Sequence, residues 1–386
     1  MSDTHVLQII DGLNIGGAEI LLRELSIGLL KRGFRVSVAY GTPGPIVDDM
    51  KSFGVPLIRI PRLLRVDPVQ FYTLYRAIRK DIPAIVHTHL FKSDLHGRPA
   101  ARLAGVPVVV STLHSIDRWA EKWPMGNVYG LTACFTDKII TVSDDVKDFH
   151  IKNTGVKASK FITIDNGVDV NRFMGLESSG PIIRKEFNIP DASILFGIVG
   201  RLTQPKDHDT FLRAAKLIVD KVPHARFLVI GDGPLRDRLT LQTVELGIKE
   251  SVIFTGFRKD IPEILAALDV LVISSEWEGL PVNLLEGMAA SLPVVTTAVG
   301  GIPAVVTNET ALLVQPSNPM SLAHSCILLA DDPDLRRRMG RSGNERVLKH
   351  YSLDVMVDRT ALMYAKLLKV RGFNKLIPPA VARLES

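Results

Sequence analysis

The chain has 386 residues, of which 46% are hydrophobic and 23% charged, so it is globular and too long for one typical core. Its net charge of +6 and isoelectric point of about 9.2 favour anionic partners, whether phosphorylated small molecules, phospholipids or nucleic acid, without choosing among them. The opening MSDTHVLQII lacks the basic segment and long apolar core of a signal peptide, and no uncharged apolar run of about 20 residues is free of turn signals, which argues against a spanning helix. The two cysteines, Cys134 and Cys326, are far apart in apolar sequence, which points to reduced thiols in a cytoplasmic protein.

Short apolar runs alternate with amphipathic stretches along the whole chain, the pattern of βαβ units around parallel sheets. In the first half, strands are predicted at 6–10, 36–40, 57–60, 85–88, 108–112, 138–142 and 161–164. Helices are predicted at 20–30, 46–53, 69–80 and 143–153, with Ser143 as an N-cap. Periodicity weakens over 171–191, where the domain junction is placed. The second half restarts with strands at 194–199, 226–230, 252–254, 270–273, 294–296 and 311–314. Helices are predicted there at 210–222, 235–246, 261–267, 319–330 and 333–350, and a long amphipathic one at 352–370 precedes a loose end after Gly372. The expected organisation is two doubly wound α/β domains, 1–175 and 176–350, with 351–386 as a helix and tail. Two such domains facing each other leave a cleft where ligands bind at strand C-termini.

Residues 274–297 organise the second half. A strand ends in SSEWEGLP, a helix follows with Pro281 near its first turn, and SLPVV leads into the next strand. Glu278 falls in the loop before the helix and Glu286 inside it, while free N–H groups near Val282 and Asn283 favour an anion at the helix start. Hydroxyl groups at two carboxylates with phosphate between them would suit a nucleoside diphosphate sugar. Alone, Glu286 reads equally as a solvated helix residue and Glu278 as a loop charge.

Upstream, GRLTQPKDHD follows the strand 194–199, placing Arg201 and Lys206 at a strand's C-terminal edge. Arg can grip phosphate oxygens with two parallel N–H bonds and Lys adds a point charge; two solvated loop cations are the plain alternative. Gly16 and Gly17 follow the first strand and let backbone approach a ligand, or merely form a tight turn. No G-x-G-x-x-G is present, which speaks against an NAD dehydrogenase. His114 lies at the C-terminal edge of the strand 108–112, in PVVVSTLHS, as either a pocket or a loop residue. His87 and His89 share one strand face, but no third metal ligand has convincing spacing, so packing or lining an acceptor cleft is favoured over zinc. Asp207-His208-Asp209 sits at a helix start, where capping accounts for it. Lys31, Arg32, Arg35, Arg59, Arg62, Arg65, Arg76, Arg79 and Lys80, interleaved with Leu63, Leu64, Val66 and Phe71, form either a membrane-surface patch or solvated faces. No module or aromatic platform for nucleic acid appears.

Taken together, EGLP, LLEGMA and SLPVV, with seven residues between Glu278 and Glu286, resemble the paired-glutamate motif of retaining glycosyltransferases of the GT-B group called family 4. The resemblance spans nearly the whole chain. It implies a GT-B fold with a nucleotide-sugar donor, a UDP-sugar foremost, held by the second domain. It implies a glycan or lipid-linked acceptor entering from the first, and no essential metal or other cofactor. Arg201 and Lys206 match the family's diphosphate motif, and Glu286 its ribose-binding glutamate. Glu278 with Gly279, Leu280, Pro281, Val282 and Asn283 matches the donor-sugar loop. Gly16 and Gly17 match the glycine loop near diphosphate and acceptor, His114 the histidine against the donor sugar, and Phe257 the backbone beside the base. Gly231 and Gly233 of GDGP keep the pocket floor low, and NGVD at 166–169 also matches. One departure is Gly-Leu-Pro after Glu278 where many members have Gly-Phe-Gly; Pro281 supplies no N–H, and the variant tilts the expectation towards surface polysaccharide or glycolipid assembly at the inner face of the membrane. A nucleotide-sugar 2-epimerase and a non-catalytic nucleotide-sugar-binding scaffold are the competing readings; a phosphorylase would need a pyridoxal-bearing lysine, for which no motif is seen.

Overall fold

The structure is a computed structural model that describes residues 4–61 and 67–384. The chain divides into two compact units, Met1–Gly167 with Leu353–Ser386, and Val168–Ser352. The division falls inside the NGVD turn, ahead of the 171–191 stretch in which composition changes.

The first unit is built on β1 (His5–Gly12), β2 (Arg35–Thr42), β3 (Leu57–Arg59), β4 (Ile85–His89), β5 (Val108–Leu113), β6 (Lys138–Thr141) and β7 (Phe161–Thr163). They form one parallel sheet in the order β3-β2-β1-β4-β5-β6-β7. The second unit carries β8 (Leu195–Val199), β9 (Arg226–Ile230), β10 (Val252–Gly256), β11 (Val270–Ile273), β12 (Val294–Thr297) and β13 (Ala311–Val314), parallel in the order β10-β9-β8-β11-β12-β13. Each order reverses beside the unit's own first strand, at β1/β4 and at β8/β11. In a doubly wound sheet the crevice at the strands' carboxyl ends opens there, and ligands bind in it.

The strands read as near-continuous apolar runs because both faces are covered. Phe196 of β8, Phe227 of β9 and Phe211 of the helix His208–Val219 form one aromatic core, with ring centroids 5.4 Å apart for Phe196–Phe227 and 5.9 Å for Phe211–Phe227. Ser143 caps the helix Asp144–Thr154 by accepting from the Val146 N–H at 3.2 Å, as its sequence position predicts. Asp207 does the same for the helix His208–Val219, accepting from Thr210 N–H at 3.1 Å, so the D-x-D pattern is a cap.

Three sequence expectations need correction. The helices Phe91–Leu103, Met125–Thr132 and Ser179–Glu186 were not anticipated: the first contains Pro99 and a polar run, and all three hide their apolar period behind small or polar residues. The segment beyond Gly372 is folded rather than loose, with a short helix Pro379–Ala382 whose Val381 is fully buried. Cys134 is exposed, not set in an apolar environment; only Cys326 is buried. In the basic cluster, Arg32 is held by Asp358 and Asp354, and Arg35 by Asp81, while Arg62, Leu63, Leu64, Arg65 and Val66 lie outside the described residues.

The long helix Leu353–Val370 belongs to the first unit, where it packs against the helix Gly17–Lys31. The packing is close: a Cβ on Gly28 would lie 2.5 Å from Val357. Among the described residues, no helix is long and apolar enough to cross a membrane.

Candidate functional site

The second unit's switch point lies between β8 and β11, and the loops leaving these two strands carry most of the candidate residues. β8 runs into Gly200 and Arg201, then into the turn Gln204–Lys206. β11 runs into Ser274, Ser275 and Glu278, then into the helix Val282–Ala289. Side chain and backbone bonds fasten the loops together. The Ser274 hydroxyl donates to the carbonyls of Lys206 and Asp207 at 3.0 and 2.8 Å, and the Glu276 N–H donates to Pro205 O at 2.9 Å.

The structure brings Lys206 and Glu278 into direct contact. The Lys206 ammonium donates to Glu278 Oε1 at 2.5 Å, and the Ser275 hydroxyl donates to the same oxygen at 2.7 Å. Both donors fall on Oε1, so Oε2 is the carboxylate oxygen left for a further hydrogen-bond donor. Lys206 was assigned to diphosphate from sequence; in the fold it also fixes the neighbouring glutamate. Arg201 is exposed, and among the described residues its side chain has no hydrogen bond or ion pair.

The helix Val282–Ala289 starts with Pro281 at its N-cap, φ −72°, one residue earlier than the first turn. The N–H groups of the residues after it are unclaimed by helix bonds and point outward from the start. Asn283 ties that start to the end of β8, its side-chain amide donating to Val199 O at 2.6 Å. Glu286 lies in the middle of this helix and is half-buried. The helix dipole at Val282 and Asn283 and the cations Arg201 and Lys206 thus surround one crevice mouth.

Two glycines make this closeness attainable. Gly231 after β9 sits at φ +135°, and a Cβ there would fall 2.0 Å from Gly200 O. Gly300, which sequence reasoning passed over, sits at φ +52° with its missing Cβ 2.2 Å from Glu278 O. Its neighbour Gly301 donates to Gly279 O at 2.7 Å, so the Gly300-Gly301 turn backs the glutamate loop. The signal was present as a second GG pair after β12. Ser275 was missed as well; its only cue was adjacency to Glu278. Phe257 follows β10 and is 48% exposed, and Gly256 before it accepts from Gly231 N–H at 3.0 Å.

Gly16, Gly17 and His114 belong to the first unit. Gly16 caps the helix Gly17–Lys31 in extended conformation, and the Glu19 carboxylate folds back to within 2.5 Å of where a Gly16 Cβ would stand, as a residue at a helix's third position does. His114 follows β5 and accompanies His87 and His89 of β4. His87 Nδ1 pairs with the Tyr364 hydroxyl and its Nε2 with Thr112 Oγ1, each at 2.6 Å. His89 pairs with His114 at 3.1 Å and with Gln8 at 2.7 Å. All four ring nitrogens of His87 and His89 therefore have protein partners. Among the described residues, no group of three or more His, Cys, Asp or Glu is placed to hold a metal.

Comparison with known proteins follows the same division. Residues 15–172 match Glycosyltransferase Family 4, and residues 180–346 match Glycosyl transferases group 1. The chain is 30% identical over 362 residues to an Escherichia coli UDP-Gal:alpha-D-GlcNAc-diphosphoundecaprenol alpha-1,3-galactosyltransferase, covering 90% of this chain and 93% of that one. The chain belongs to the family 4 glycosyltransferases. It is also 30% identical over 270 residues to a GDP-mannose-dependent monoacylated alpha-(1-6)-phosphatidylinositol monomannoside mannosyltransferase of Corynebacterium glutamicum, covering 67% of this chain and 70% of that one. The crystal structure of Anabaena Alr3699/HepE in complex with UDP-glucose superposes with a TM-score of 0.85 at 20% identity, covering 95% of this chain and 99% of that one. This glycosyltransferase therefore has the GT-B fold, two Rossmann-like units each built on a parallel sheet.

Proposed function

We propose that this glycosyltransferase moves a sugar from a UDP-sugar to a glycan or lipid-linked acceptor, with retention of anomeric configuration, in surface polysaccharide or glycolipid assembly. The observation that carries the reading is the β8/β11 crevice mouth. It combines Arg201, the Lys206–Glu278 pair and a helix start at Val282–Asn283, with Glu286 within that helix. That set matches a diphosphate flanked by two hydroxyl-bearing rings. The Escherichia coli relative, which acts on a UDP-sugar and a diphosphoundecaprenol-linked acceptor, favours UDP and a lipid-linked acceptor.

In this reading Glu286 accepts from the ribose hydroxyls, and Arg201, Lys206 and the helix start hold the diphosphate. Glu278 Oε2 and the backbone at Gly279–Asn283 grip the donor sugar. The bond from anomeric carbon to diphosphate oxygen breaks, and one to the acceptor's hydroxyl oxygen forms on the same face. The acceptor's proton passes to the leaving diphosphate, whose charge the two cations stabilise. Nothing in this sequence of steps calls for a metal.

The acceptor reading also places the protein at a membrane surface. The helix Pro68–Lys80 supplies a face for it, with Val69 and Tyr72 63% and 58% exposed beside the exposed Arg76, Arg79 and Lys80.

Calorimetric binding of UDP, GDP and ADP tests the donor pocket. UDP is expected to bind most tightly, unaffected by EDTA, and Glu286→Ala to weaken it by about tenfold, the loss of one or two hydrogen bonds to a charged group. Preference for GDP would reassign the donor, and binding indifferent to Glu286→Ala would move the pocket elsewhere. Retention is checked by NMR of the product from an α-configured donor: an α linkage is expected, and a β linkage would discard the same-face step.

A further inference from the structure

In the first unit, the helix Met125–Thr132 is packed inside out. Its small residues face inward: a Cβ on Gly126 would lie 2.4 Å from the carbonyls of Ala120 and Asn153, and one on Gly130 2.3 Å from Thr154 O. Backbone this close admits only glycine, so the inward side buries Tyr129 and no other large side chain. The large apolar residues stand outside instead. Trp123, just ahead of the helix, is 86% exposed, Met125 42% and Leu131 74%. Grouped apolar side chains of this size on a surface mark a place of contact.

Cations border this ridge. Arg118 and Lys122 are exposed in the stretch leading into it, and Lys157 is exposed next to Val156, which Gly130 approaches; Glu121 is the acid beside them. Two-fold self-pairing would press these cations against their own copies, which disfavours a second chain as the occupant. An anionic lipid surface suits both properties, with the cations at its headgroups and the apolar side chains at the boundary below them. Eight residues rise about 12 Å, far short of a bilayer's hydrocarbon core, so the helix would lie in the plane of the surface. The ridge is also continuous with the face that the acceptor reading places at the membrane. The helix Pro68–Lys80 packs against Phe91–Leu103, which packs against Met125–Thr132. Neighbouring axes lie about 8–10 Å apart, so the outer two stand about 20 Å apart. A flat surface reaches both at once, which no small ligand does.

We propose that Trp123, Met125 and Leu131 form an apolar anchor that inserts at the headgroup boundary of an anionic phospholipid membrane, with Arg118, Lys122 and Lys157 against the headgroups. This rests on the lipid-linked acceptor reading and adds a division of labour to it. The basic helix Pro68–Lys80 attracts the surface and the ridge inserts, so firm binding needs negative charge and hydrocarbon together.

The full chain is mixed with vesicles of phosphatidylcholine and phosphatidylglycerol in equal parts, and with vesicles of phosphatidylcholine alone. Cosedimentation with the first and little with the second is expected, together with a blue shift of tryptophan emission. Trp123→Phe should remove the shift and keep the binding, since Trp119 and Trp277 remain in that variant. Trp123→Ser combined with Leu131→Ser is expected to lower vesicle partitioning by at least about tenfold. Both side chains are exposed, so circular dichroism and UDP affinity should stay as in the wild type. Wild-type protein that ignores the anionic vesicles, or a folded double variant that binds them as the wild type does, would overturn the proposal. So would a double variant that alters oligomeric mass and not vesicle binding, which would make the ridge a contact between copies. Transfer confined to soluble glycans, by an enzyme whose ridge still binds vesicles, would instead fault the lipid-linked acceptor and keep the anchor.

Discussion

Lys206→Ala is expected to lower kcat/KM by between about 30-fold and 1000-fold, equivalent to about 2–4 kcal/mol of transition-state stabilisation. Two losses combine. The first is the ammonium that, in the proposed reaction, offsets charge on the departing diphosphate. The second is the bond that fixes Glu278 Oε1, since Lys206 and Ser275 are the two donors to that oxygen. Arg201→Ala should lose a similar amount through the phosphate contact alone, because among the described residues Arg201 has no side-chain partner to disturb. The two variants therefore differ in what else they change. Lys206→Ala should also raise KM for the nucleotide sugar more than it weakens UDP itself, whereas Arg201→Ala should weaken both alike. Steady-state kinetics beside UDP calorimetry separates the cases. Wild-type kinetics in both variants would remove these cations from the reaction.

Asp94→Ala is expected to destabilise the first unit by about 3–5 kcal/mol, since it strands a buried cation. Asp94 and Arg98 are both fully buried on the helix Phe91–Leu103, joined at 3.0 Å. Thr88 also donates to the carboxylate, and the guanidinium donates to Ser111 at 2.7 Å and lies 4.1 Å over the Tyr129 ring, whose hydroxyl it also meets. Without the carboxylate, the guanidinium keeps its cost of burial and loses its counter-charge. Combining Asp94→Ala with Arg98→Met should recover much of the loss, because no charge then remains inside. Trp119, 5.1 Å from Tyr129, makes fluorescence a reporter of this unit during denaturation.

Much of the fold was legible because parallel strands covered on both faces must be apolar along their length, and turns must break the runs. Strands β9, β11 and β13 fall where apolar runs alone place them, and the caps at Ser143 and Asp207 follow from residue type at a helix start. What escaped was structure whose signal is diluted. The helix Phe91–Leu103 buries Asp94, His96 and Arg98 as if they were core residues, so no hydrophobic period marks it. The tail after Gly372 looks like a loose end until Val381 is seen to be buried.

The candidate site divides in the same way. Sequence by itself determined which residue types stand at the ends of β8 and β11: two cations, two glutamates and a helix start. Spacing along a chain fixes what a strand hands to its following loop. Only the tertiary structure decided who touches whom. Lys206 meets Glu278 across 72 positions of sequence, and Tyr364 reaches His87 across 277. Gly300 is forced to lack a side chain by a carbonyl that comes from another loop. Such contacts depend on strand order, and strand order is set by how buried faces pack together, which local sequence does not record.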